Sequence, residues 1–184
     1  MRLALGLVAI AVLQSAVLVA MIGVKQWTLA TGTPVLLETE PVDPRSLFRG
    51  DYVRLNYAIG RLEPGELDDQ ASEIEFEYGD TVYVLLRKGE PYWEPVSIHR
   101  ERPPASPDHV AIKGEVVPTW GRWTPISIRY GIENYFIPEG EGRELERPTQ
   151  GEEVSVLVAV DRFGNAGIKA VLVNGEPRYV ETLF

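Results

Sequence analysis

Ser46 and Lys88 are the residues whose types could carry covalent chemistry together: a serine hydroxyl becomes a nucleophile when a lysine amine takes its proton. The chain has no cysteine, which removes thiol catalysis, disulfides and cysteine-held zinc. His99 and His109 stand ten residues apart across a proline-rich stretch, and with Glu101 or Asp108 they would offer nitrogen and oxygen to a metal. They approach one another if residues 92–100 and 110–117 pair as a hairpin. Their spacing matches no HExxH-like pattern, so two loop-flanking histidines are the expectation, and no metal or cofactor is implied. Trp120-Gly121-Arg122-Trp123 offers a different chemistry, aromatic faces around a guanidinium that stack on sugar or meet a protein partner. Tyr135 and Phe136 extend that candidate interaction surface, and packing at one end of a barrel is the competing role for the same rings.

These side chains sit on or between strands. Short alternating or apolar runs bounded by Gly, Pro, Asn and Asp predict strands over 35–39, 52–59, 81–87, 92–100, 110–117, 126–130, 134–137, 154–160, 168–173 and 178–182. One short helix is expected over 141–147, ended by Pro148. Residues 62–71 and 102–107 read as surface loops. The fold class that follows is mainly β, an antiparallel sandwich or open barrel. An internal echo supports pairing of neighbours: 82–92 and 168–178 each run from an apolar strand through Gly-Glu-Pro into a second strand. Asp161-Arg162-Phe163-Gly164-Asn165-Ala166-Gly167 is a further hairpin turn.

The most specific stretch is Gly50-Asp51-Tyr52-Val53-Arg54-Leu55-Asn56-Tyr57. Gly-Asp signals a turn; Val53, Leu55, Tyr57 and Ile59 then share one strand face, with Tyr52 on the other. Asp51 at the turn can accept backbone N–H bonds or pair with Arg45 or Arg49. Gly50, Asp51, Tyr52, Leu55 and Tyr57 resemble the signature of the GDYXXLXY family. The flanking Asp43-Pro44-Arg45 and Phe48-Arg49 add to it, as does the later run from Gly131-Ile132-Glu133 to Gly140. The resemblance implies a membrane-anchored bacterial protein of unassigned activity, encoded beside multi-span membrane proteins, and it supplies no catalytic residues. The order of anchor, β domain and Gly-Asp-x-Val strand also resembles bacterial signal peptidases, which use a serine before that strand and a lysine base on a later one. Where their serine stands this chain has Val42, and Ser46 lies at another offset, so turn and strand chemistry explain the motif better than hydrolysis does.

Leu3 to Val24 is a run of 22 residues without a charge, bracketed by Arg2 and Lys25. At 1.5 Å per residue that helix is about 33 Å long, against a hydrocarbon core of roughly 30 Å. A cleaved signal has a shorter apolar region and a small-residue cleavage site, so an uncleaved transmembrane anchor is expected. Trp27 suits the interface beyond it. Gln14 and Ser15 fall near the bilayer centre, where polar groups meet other helices.

The chain carries 18 basic and 27 acidic residues. Beyond Lys25 this leaves 16 basic against 27 acidic, a balance that disfavours nucleic acid and the anionic cytoplasmic leaflet. The expected organisation is an anchor over 1–25, a linker over 26–33 and a β-rich domain over 34–184. The expected setting is the bacterial inner membrane, with the domain periplasmic or extracellular. The partners expected are the bilayer and a multi-span membrane protein, bound without catalysis.

Overall fold

The hydropathy of the first 24 residues dictates the first element. Helix α1 spans Arg2–Thr31. In the computed structural model, which describes residues 2–40, 52–63, 67, 76–104, 106–118, 125–136 and 153–181, its large apolar side chains from Leu7 to Val24 are 51–69% exposed. Residues Gly6–Thr31 are long and apolar enough to cross a membrane. The helix outlasts the apolar run: residues 26–31, expected in a linker, form its last turns. Burial explains the difference, because Thr28 and Leu29 pack into the β domain at 4% and 2% exposure.

Twelve strands follow among the described residues: β1 (Thr33–Glu40), β2 (Tyr52–Arg54), β3 (Asn56–Tyr57), β4 (Arg61–Leu62), β5 (Thr81–Arg87), β6 (Glu94–His99), β7 (His109–Val117), β8 (Ile126–Arg129), β9 (Asn134–Phe136), β10 (Val154–Val160), β11 (Ala166–Val173) and β12 (Glu176–Val180). One sheet has the order β12-β11-β10-β1-β3, a second the order β4-β8-β7-β5-β6, and β2 pairs with β9 in a short ribbon. All pairings are antiparallel. Period-2 alternation puts Val35, Leu37, Val156, Val158 and Val171 of the first sheet against Val82, Val84, Leu86, Ile112 and Ile128 of the second, in one core. Backbone bonds also pass between the sheets. Trp93 N–H donates to Leu36 O (3.0 Å), and Lys113 N–H donates to Gly164 O (2.8 Å).

The sequence echo is a pair of antiparallel hairpins, each at one edge of a sheet. Their turns differ, since β11 and β12 close through Asn174-Gly175 while six residues separate the Arg87 and Glu94 partners of β5 and β6. The strand expected over 52–59 is divided: it pairs first with β9, then with β1, and residues Ala58–Gly60 form a 3₁₀ turn before β4. Leu62 and Leu67, expected in a surface loop, are buried. The helix expected over 141–147 lies outside the described residues.

Candidate functional site

Two arrangements gather the polar side chains that fold and placement single out. The first surrounds the octapeptide. Val53, Leu55, Tyr57 and Ile59 are all buried, as their alternation requires. Tyr52, Val53 and Arg54 stand opposite Phe136, Tyr135 and Asn134. At Leu55 the strand changes partner, and its N–H donates to Glu133 O at 2.7 Å. Two residues on, Tyr57 Oη donates to Ile132 O, and Tyr130 Oη donates to Ile59 O, each at 2.7 Å. The 57–59 and 130–132 segments thus exchange hydroxyl bonds. Burial raises both phenols well above their ordinary pKa, with the Glu133 carboxylate adding to it. Glu133 in turn accepts the N–H groups of Tyr130 and Gly131. The octapeptide and the later run beginning at Gly131 are therefore one structural unit. Gly50 and Asp51, with the Asp51 pairings expected at the turn, lie outside the described residues, and of Tyr52 only the backbone pairing is described.

The second arrangement joins α1 to the sandwich. Thr28 Oγ1 donates to Asp161 Oδ2 at 2.7 Å, in the interior and across 133 residues of sequence. The Asn165 side chain donates to the same oxygen at 3.0 Å. The other carboxylate oxygen takes the N–H groups of Phe163 (2.8 Å) and Asn165 (3.0 Å), which closes the β10–β11 turn. Burial pushes the Asp161 carboxyl up, but the bonds from Asn165, Thr28 and the two amides outweigh it and hold the group below its ordinary range. Two glycines let the elements touch. A Cβ on Gly32 would lie 2.6 Å from Thr28 O and 2.9 Å from Val160 N, and one on Gly167 would lie 2.9 Å from Leu29 Cδ2. One residue, Gly32, separates the end of the helix from β1.

Beside this joint opens a cleft of about 140 Å³, lined by Lys25, Gly131, Tyr135, Phe136, Gly167 and Glu181 among others. That is less than half the lower bound of about 300 Å³ usual for small-molecule sites. Lys25 Nζ and a Glu181 carboxylate oxygen face each other there at 4.0 Å. Tyr135 is half-buried, its phenol raised by burial first and then by Glu181 and Tyr179.

Among the described residues considered for chemistry, the two histidines stand apart from each other. Lys88 is exposed beyond the end of β5, its N–H donating to Asp108 O at 2.9 Å, whereas a general-base lysine is held out of water. Ser46 lies outside the described residues. The hairpin that would bring the histidines together does not form, because β5 runs between β6 and β7: His99 stands opposite Tyr83 and His109 opposite Arg87. Each histidine bonds a local serine, His99 Nε2 with Ser97 Oγ at 2.8 Å and His109 Nδ1 with Ser106 Oγ at 3.0 Å. Trp120, Arg122 and Trp123 lie outside the described residues. Phe136 is 76% exposed, and Gln14 and Ser15 are exposed on α1. Sequence reasoning missed Thr28 and the full role of Asp161, of which only the turn signal with Gly164 and Asn165 was there to find, and it named Glu133 within the family run without its bonds to Tyr130 and Gly131.

The family model for the GDYXXLXY protein matches residues 14–171 of the chain. No curated protein and no solved structure matches it.

Proposed function

The chain belongs to the GDYXXLXY family, and we propose that it is a non-enzymatic, single-pass envelope protein of the bacterial inner membrane. In this reading the β domain is periplasmic or extracellular and is presented to a protein partner, a multi-span membrane protein. The observation that carries the reading is the joint between α1 and the sandwich. A domain that only needed tethering would tolerate a loose linker, whereas here Thr28, Asp161, Gly32 and Gly167 make span and domain one piece. Fixed geometry of that kind serves a protein that must meet a partner in a set orientation.

Along the span, Gln14 and Ser15 give the partner's helices polar groups to satisfy. Trp120, Arg122 and Trp123 supply the contact outside the bilayer in this reading. Photo-crosslinking in native membranes tests this, with the reactive side chain at position 14 or at position 12, about 200° around the helix. An adduct with one membrane protein of discrete mass is expected from position 14 and not from 12. Lipid adducts alone at positions 12 and 14 would remove the partner.

A further inference from the structure

We infer that the face of the β domain around the end of α1 lies on the bilayer, with Phe136, Phe163 and Val180 seated in the headgroup layer beside Trp27. The inference rests on the anchored reading above and goes beyond it by giving the domain a lipid-binding surface. Among the described residues beyond the apolar run, five large hydrophobic side chains are exposed: Trp27 (57%), Tyr78 (71%), Phe136 (76%), Phe163 (54%) and Val180 (61%). Four of the five surround the helix end. Phe163 follows Asp161, which holds Thr28; Phe136 lines the cleft with Lys25; Val180 precedes Glu181, which faces Lys25. Scattered exposed rings need no explanation, but a ring of them around a membrane helix does.

Distances agree. If the 22-residue run fills the hydrocarbon core, Thr28 stands about 6 Å and Thr31 about 10 Å beyond it at 1.5 Å per residue. The headgroup layer is roughly 5–8 Å thick on each side. The side of the domain packed against Thr28 and Leu29 therefore falls at headgroup level, with the contacts of Gly32 just outside it, and the tight Gly32 connection prevents the domain from lifting away. Aromatic rings are favoured at that depth. The charges suit it as well: Arg162 lies 4.7 Å over the Phe163 ring, and with Lys25 it presents cations to lipid phosphate. The acids described at this face are engaged: Glu181 is turned toward Lys25, Asp161 is held by Thr28 and Asn165, and Glu133 takes the N–H groups of Tyr130 and Gly131. Phe136 thereby passes from the protein-contact surface expected of it to the lipid.

The chain lacks cysteine, so single labels can be placed without background. Phe136→Cys, Phe163→Cys, Tyr78→Cys and Leu13→Cys, each in the full chain and carrying a fluorophore, are reconstituted in phosphatidylethanolamine–phosphatidylglycerol vesicles. Nitroxide lipids then quench from the headgroup or from mid-chain. Labels at 136 and 163 should be quenched from the headgroup at least threefold more than the label at 78, and the label at 13 from mid-chain. Quenching at 13 with 136 and 163 no more quenched than 78 would overturn the inference and leave the anchor standing, the face then being open to water or to a protein. No quenching at 13 would overturn the anchor and this inference together.

Discussion

The Tyr57–Tyr130 lock and the Thr28–Asp161 tie both close hydrogen bonds across long stretches of chain, 71 to 75 residues in one case and 133 in the other. They use opposite kinds of group. The lock is made of neutral phenols inside the apolar core, each donating to a backbone carbonyl of the other segment. The tie is an ionised carboxylate with all four of its bonds inside the protein. The signature octapeptide holds Tyr57 of the lock and no residue of the tie, although the region matched by the family model, residues 14–171, contains both. A short signature can thus mark part of the scaffold while the joint between helix and domain stays unmarked.

The largest effect belongs to the lock. Tyr57→Ala removes a buried ring as well as its bond and should cost about 3–5 kcal/mol of domain stability in urea titrations. Tyr57→Phe keeps the ring and removes only the bond to the Ile132 carbonyl, for about 0.5–1.5 kcal/mol. Equal stability of Tyr57→Phe and the parent would mean that packing alone fixes the segment, and the lock would cease to be one.

The tie should fail at the acid end. The folded-state pKa of Asp161 is lowered, so its stabilisation is fully present above the unfolded value of about 3.9 and is lost as pH falls through the lower folded value. Asp161→Asn removes the charge and should cost about 1.5–3 kcal/mol at pH 7, the range for bonds to a charged group. Its urea midpoint should then vary less with pH below about 4 than the parent's. The lock behaves in the opposite sense. Tyr57 and Tyr130 are raised, so their contribution is complete below about 10 and is lost as pH rises through the folded values. Acid loss of the same size in Asp161→Asn would assign the acid sensitivity to other carboxylates and erase the contrast.

How much of this the chain discloses depends on the range of the forces involved. Alternation is local, so the buried face of Val53, Leu55, Tyr57 and Ile59 could be read, and it survives a change of partner at Leu55 because pleating preserves faces. The ends of most strands could be read for the same reason. Sheet order could not: β6 and β7 are neighbours in sequence, yet both use β5, one on each side. The apolar run ended at Val24, and only contact with residues more than 120 further on explains why the helix continues to Thr31. The echo told truly of two edge hairpins and nothing of their different turns.

The smallest effect tests the rim of the joint. Lys25 and Glu181 are 4.0 Å apart with side chains 67% and 39% exposed, so their attraction is screened and worth under about 1 kcal/mol. Glu181→Gln should therefore barely move the urea midpoint. It should move Tyr135, whose phenol is raised by burial and then by the Glu181 charge. Removing that charge lets the tyrosinate form more easily, so the Tyr135 titration, followed by NMR of ring-labelled tyrosine, should fall part of the way toward its ordinary value. Burial should hold the remainder up. A fall to the ordinary value would mean that the cleft is open to water around Tyr135. No fall would mean that Glu181 does not face it, and the rim would then be two unrelated charges with no part in holding the domain to the helix.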